Sequence, residues 1–459
     1  MTSQFLALPR RDVCIDLSAS QGEIELWRHA LGHGGINALP LPDRVVNGVR
    51  KLNPRLIRVF LQEHFDIYPS RGCFEWRKLD PYLEAIARTG ARVVAAITIK
   101  PKVLFPHVDH SVWRPTDIAE WQKVIFELVK RYSVDRSIVT HWEIGNETDI
   151  GETGGSPYLI ADPQDYADYY RMTIDPILRA FPAAKVGGPA ACWVENEPLP
   201  GFVRICRETS TQLDFISWHH YHDDPKRHAE GVAKAKALLR DFPQPRPEMM
   251  VTEWSKSFDP VSVEDLAFHP RRAADAAACL LAFLDAGVDW SFYYHIWDQV
   301  FHPEPFRAFF SQQGIDGMIE HWNELPHRFG LFGVSEEVRP QYFVYQMLSR
   351  MGEEHIAAHS DDPDLHLLSS RGDGKLSTLI ANFNLEESHD KIVTLRFRNL
   401  APGRKQLTTY RIDSSQRWSP EDLELIPLEH REVHVERDFR CQVYAPADSV
   451  ALVTLTDRP

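Results

Sequence analysis

Between about residue 43 and residue 300 the chain alternates short apolar runs with stretches whose apolar positions recur every three to four residues. Residues 56–60 (LIRVF) and 92–99 (RVVAAITI) have strand length and little polar alternation, as expected of parallel strands covered on both faces. Asp80 followed by Pro81, with Gly90 downstream, predicts a helix capped at residue 80. Over residues 116–132, Ile118, Trp121, Ile125, Leu128 and Tyr132 fall on one helical face. Further strands are expected over 138–147, 184–188, 213–218, 249–254 and 290–296. Asp162-Pro163 opens another helix, and an alanine-rich helix over 272–286 stops at Gly287. Repeated βα units in this number predict a (β/α)8 TIM barrel over residues 24–345. An open doubly wound sheet ranks second, because no GxGxxG follows the early strands.

After about residue 345 the period changes from helical to alternating. Residues 376–383 and 391–397 read as half-buried strands bounded by turn residues, so 346–459 is expected to form an antiparallel β-sandwich. Residues 13–17 alternate as well, which assigns 1–23 to the same module and leaves the barrel inserted between its parts.

Composition narrows the function. With 459 residues and 43% hydrophobic content the chain can bury a large core. A net charge of −14 without a basic run argues against nucleic acid as a partner. Twelve tryptophans and fourteen tyrosines suit stacking on sugar faces as well as core packing. The six cysteines show no paired spacing and read as thiols in a reducing compartment. No apolar stretch is long enough for a leader or a membrane span, so a cytoplasmic protein with no membrane partner is expected.

The chemistry converges on two carboxylates. Glu147 closes the fourth barrel strand and Glu253 the seventh, and barrel active sites lie at the C-terminal ends of the strands. A structural ion pair with an arginine such as Arg58 is the alternative for either acid alone. Both together suit glycosidic cleavage, in which one acid protonates the leaving oxygen and the other attacks or activates water. Asn146 beside Glu147 is suited to hold a sugar hydroxyl. Glu143, on the same strand face but deeper, is expected to be structural.

Asn146-Glu147 after the fourth strand and Thr252-Glu253-Trp254-Ser255 after the seventh resemble the retaining barrel glycosidases of clan A. Together with Arg131-Tyr132, Val186-Gly187-Gly188-Pro189-Ala190 and Phe215-Ile216-Ser217-Trp218-His219-His220-Tyr221, they resemble glycoside hydrolase family 39, which includes β-xylosidases and α-L-iduronidase. The resemblance implies a cofactor-free retaining glycosidase with a glycoside or oligosaccharide substrate, and it allows a homo-oligomer. It makes Glu147 the acid/base and Glu253 the nucleophile. Asn146 would contact the 2-hydroxyl of the sugar in subsite −1, Tyr221 would orient the nucleophile, and Trp297 would floor the sugar. Gly145-Asn146-Glu147-Thr148 departs from the family's Trp-Asn-Glu-Pro. Val59-Phe60-Leu61-Gln62 stands where β-xylosidases have Gly-His-Gly. These departures leave the mechanism in place and the sugar open.

Further binding candidates are His219, His220, Trp254, Arg58 and Lys100. Lys100 and Lys256 could read a uronate carboxylate or be solvated charges. The histidine cluster 219–222 raises a metal-dependent hydrolase as a minor alternative, set aside because the other strand ends supply carboxylates better used by a glycosidase. A catalytically lapsed glycan-binding protein is the other alternative. Residues 298–328, rich in aromatics and histidines, are expected to form a lid.

Overall fold

The computed structural model describes residues 8–257, 269–324, 328–414, 419 and 421–457. A strand β1 (Arg10–Glu23) precedes eight barrel strands. These are β2 (His29–His33), β3 (Leu56–Gln62), β4 (Arg92–Thr98), β5 (Val139–Ile144), β6 (Lys185–Ala191), β7 (Phe215–Tyr221), β8 (Glu248–Ser255) and β9 (Trp290–Tyr294). Each pairs in parallel with the next, and β9 closes on β2. In β4 every residue but the first is buried, which explains its unbroken apolar run.

Helices follow the strands as α1 (Asp43–Lys51), α2 (Leu79–Ala87), α3 (Ile118–Val129), α4 (Pro163–Ala180), α5 (Leu199–Thr209), α6 (Pro225–Leu238) and α7 (Arg271–Ala286). After β9 come α8 (Gln312–Ile319) and α9 (Pro340–Leu348). The barrel floor is an apolar plug of Ala30, Leu56, Val94, Phe215, Met250, Trp290 and Phe292. A dry floor leaves the polar inward residues to the upper, C-terminal layer. That layer is where chemistry is possible.

Local signals work where the side chain that carries them is free to act. Asp162 caps α4, accepting from the backbone N–H of Gln164 (2.8 Å) and of Asp165 (3.0 Å), with Pro163 at the first turn. Asp162→Ala is therefore expected to cost about 1 kcal/mol and lower the urea midpoint of unfolding. An unchanged midpoint would show that the cap is dispensable. Helix α7 ends on Gly287 at φ +68°, as the sequence suggests. Helix α2 does not begin as expected. Its cap position is Lys78, and Asp80 lies inside the first turn because its carboxylate is taken by Arg131, Tyr132 and Arg136.

The remaining strands are β10 (Glu354–His359), β11 (Leu365–Gly372), β12 (Lys375–Asn382), β13 (Lys391–Arg398), β14 (Gly403–Ile412), β15 (Glu429–Val435), β16 (Phe439–Ala445) and β17 (Ser449–Asp457). With β1 they form one sheet in the order β15-β14-β17-β12-β11-β10-β1-β13-β16. Alternate residues along it, including Val13, Ile356, Ile380, Leu395, Val435, Val443 and Val453, share a single core, so the sheet wraps into a sandwich. Pairing is antiparallel except between β1 and β13, which run parallel. The early strand thus belongs to the late sheet.

Candidate active site

The upper barrel is organised around Arg58, an inward residue of β3 with no exposed side-chain surface. Its Nε donates to Glu143 Oε2 (2.7 Å), its Nη2 to Asn146 Oδ1 (2.7 Å) and its Nη1 to Glu253 Oε1. The Phe60 ring covers the guanidinium at 4.4 Å. Glu253 is held a second time by the Tyr221 hydroxyl, which donates to Oε2. Both of its oxygens are therefore fixed, one by a cation and one by a neutral donor. Arg58→Met would leave Glu143 and Glu253 buried without their counter-charge, an expected loss of about 3–5 kcal/mol at neutral pH. Stripped of the cation that opposes the effect of burial, Glu253 takes up a proton more readily folded than unfolded. The deficit should then shrink as pH falls toward the ordinary carboxylate range. Urea midpoints at two pH values check this, and a pH-independent deficit would contradict it.

Glu147 stands three residues beyond the end of β5, not on the strand itself. The chain turns through Gly145 at φ +98° and Glu147 at φ +39°, and the Glu147 N–H donates to the Ala190 carbonyl (2.8 Å). This hydrogen bond ties the end of the fourth barrel strand to the fifth. Gly154 lies against the acid so closely that a Cβ there would sit 1.9 Å from Glu147 Oε2. Only glycine fits.

His219 stands between the two acids. Its Nδ1 is 2.7 Å from Glu147 Oε1 and its Nε2 is 3.6 Å from Glu253 Oε1. Burial, reinforced by Arg58, pushes its pKa well below the usual histidine value, so the ring is neutral and meets Glu147 through a hydrogen bond, not an ion pair. Burial raises Glu147 well above the ordinary carboxylate range, with further contributions from Glu253 and Asp149. Burial also raises Glu253, but Arg58 and Tyr221 oppose it. Two like acids therefore sit in unlike surroundings, and the proton belongs on Glu147.

Both acids face one cavity of about 340 Å³. Asn146 and Tyr221 line it, and Tyr294 reaches it from β9. Trp297 lies just past β9 against His33 and is not part of the lining, so the aromatic from the eighth strand is Tyr294. Trp254 also lies outside. Adjacent strand residues point to opposite faces, so with Glu253 inward Trp254 packs on His228, Phe283 and Tyr293 beneath the helices. His220 points outward for the same reason and backs Trp193 at 5.1 Å. Lys100 is buried, donating to the carbonyls of Asp109 (2.7 Å) and Pro157 (2.8 Å), and serves as a loop tether. Lys256 sits near Arg272 and Asp275 behind β8. Among the described residues no three His, Cys, Asp or Glu side chains converge as metal ligands.

Sequence reading did not single out Trp193, in the loop after β6, or Ile36 and Ile150, in the loops after β2 and β5. All three line the cavity. The signal available was position, since loops after barrel strands surround the site. Met318, His321 and Trp322, from the segment after β9, complete the wall, and Phe301, Phe306, Phe309 and Phe310 anchor that segment in an apolar cluster.

Residues 54–421 match the model for glycosyl hydrolases family 39. The chain belongs to this family. A β-xylosidase of Geobacillus stearothermophilus is 22% identical over 301 residues, covering 61% of this chain and 54% of that protein. A β-xylosidase of Caldicellulosiruptor saccharolyticus is 22% identical over 344 residues, covering 68% and 64%. The matches thus span less than two thirds of either relative. The crystal structure of a glucosidase from Croceicoccus marinus shares the fold, with a TM-score of 0.75, 18% identity and coverage of 99% and 100%.

Proposed function

We propose that this family 39 member is a retaining glycoside hydrolase of β-xylosidase-like type. The observation that carries the reading is the asymmetry of the two acids across one cavity. Glu253, its oxygens fixed by Arg58 and Tyr221, attacks the anomeric carbon. Glu147, neutral through burial and the neighbouring negative charge, donates its proton to the leaving oxygen. Once the glycosyl ester forms, Glu253 loses its charge and the pKa of Glu147 falls. Glu147 then takes a proton from the water that attacks the ester, and both acids return to their starting states.

The neutral His219 ring donates its Nδ1–H to Glu147 Oε1 and leaves Oε2 to carry the proton toward the leaving oxygen. It thereby orients Glu147 without carrying charge. Asn146, clamped by Arg58 and the Gly154 carbonyl, presents its amide to the sugar. The similarity to β-xylosidases supports a neutral pentoside as the reference substrate.

We assign residues 24–345 as the catalytic barrel and 1–23 with 346–459 as the sandwich. No described helix is long and apolar enough to cross a membrane. A cytoplasmic homo-oligomer remains the working proposal, to be checked by fractionation and sedimentation. Proton NMR of an aryl β-xyloside digest tests the mechanism. The first-formed sugar should be the β anomer, and the α anomer would establish inversion.

A further inference from the structure

The cavity has two unlike sides, and which side faces the leaving group follows from the acid. Glu147 protonates the leaving oxygen, so the departing group lies against the loops that carry and flank Glu147. Those loops contribute Ile150, Thr153, Cys192 and Trp193, and Met318 lies beside Gly155 of the same loop, while Trp322 packs on Tyr294 and His295 on the other side. Apart from Thr153, His321 and the Trp193 indole N–H, this side presents an apolar surface. A second sugar, with several hydroxyls to satisfy, would lose water there and find few partners. A volume of about 340 Å³ is at the small end for ligand pockets, enough for one sugar ring and a compact group. Trp193 is fixed in place by the His220 ring behind it, so its indole face is ready before the ligand arrives.

Charge points the same way. No lysine or arginine is among the described residues that line this cavity. The two buried cations nearby are committed, Arg58 to Glu143, Asn146 and Glu253, and Lys100 to two backbone carbonyls. The adjoining cleft of about 920 Å³ shares Thr153, Met318 and His321 with the cavity and carries Asp109, Glu152, Asp316, Glu320 and Glu324. It too has no lysine or arginine among its described lining residues. An anionic glycoside would cross an acidic approach and then meet no lysine or arginine among the described lining residues.

We infer that the site is specialised for neutral glycosides with compact apolar leaving groups, alkyl or aryl, and discriminates against both sugar leaving groups and uronates. This inference rests on Glu147 being the acid that faces the leaving group.

The test uses non-hydrolysable thioglycosides on the full chain, so binding is read without turnover. Calorimetry should rank phenyl thio-β-xyloside above thio-linked xylobiose, with phenyl thio-β-glucuronide weakest. Trp193→Ala should weaken the phenyl thioxyloside roughly tenfold or more, and the thio-linked xylobiose less. Trp193→Phe should restore much of the loss and serves as the folding control. Equal or tighter binding of the glucuronide or of thio-xylobiose, or a Trp193→Ala effect equal on both xylosides, would overturn the inference. Thioglycosides that bind in the expected order to a protein hydrolysing no oxygen glycoside would overturn the hydrolase reading alone. Turnover with the opposite binding order would overturn this inference alone.

Discussion

Glu253→Ala is expected to lower turnover of an aryl β-xyloside by on the order of 10⁴-fold or more, the scale of removing a nucleophile that acts as part of a unit. The variant loses the atom that forms the covalent bond, and no other buried carboxylate can replace it. Glu143 is engaged with Arg58, and Glu147 is held by His219 on the side of the leaving group. The space vacated by the carboxylate can admit a small anion. Azide should then restore part of the turnover and give a glycosyl azide of inverted configuration, since one displacement replaces two. Turnover close to that of the unaltered protein, or an azide product of retained configuration, would assign the nucleophile elsewhere. The alanine variant also leaves Arg58 without one of its partners, so its fold should be verified by circular dichroism before the kinetics are read.

Glu147→Ala should behave differently, because its work depends on the substrate. Loss of general acid catalysis is expected to cost about 10²–10⁴-fold with a poor leaving group, and far less for the first step with a dinitrophenolate, which departs unassisted. The second step still lacks its base, so the activated substrate should show a burst followed by slow turnover. Azide should relieve that slow phase and give a product of retained configuration, the opposite of the Glu253 variant. The pH profile supplies a further sign. In the unaltered protein Glu147 must be protonated and Glu253 ionised, so activity should fall on the alkaline side as Glu147 loses its proton. Burial raises Glu147 well above the ordinary carboxylate range, so this alkaline limb lies above that range. In Glu147→Ala the alkaline limb should disappear for the activated substrate. An unchanged limb would mean that another group controls it.

How much of this could be read from the chain alone depended on which physical signal each residue carried. Seven barrel strands were visible as apolar runs because parallel strands buried on both faces need little else. The first, β2, was not. It is five residues long and holds two histidines and a glycine, HALGH, so neither hydrophobic periodicity nor β-propensity marks it. The two glutamates were legible because acids near apolar strand ends are costly unless used. The exact bend that carries Glu147 was not, since it depends on Gly145 and on a hydrogen bond to Ala190 from the next strand.

Side-chain direction separated the remaining assignments. The pairs His219/His220 and Glu253/Trp254 each point one member into the barrel and the other under the helices, and resemblance by motif does not distinguish them without the alternation. Lys100 was ambiguous because a strand-end lysine reads the same whether it meets a ligand or two loop carbonyls. Trp193 was missed because it stands in a loop without periodicity, and what it faces is decided by the barrel's closure.

A covalent bond from Glu253 to the sugar can be trapped by incubating the protein with an activated xyloside whose hydroxyl next to the anomeric carbon is replaced by fluorine, which slows the second step more than the first. Digestion and mass spectrometry then locate the label. One fluoroxylosyl group is expected on the peptide containing Glu253, with activity returning when a sugar acceptor is added. A label on Glu147, or complete consumption of the reagent with no label and an inverted product, would contradict it.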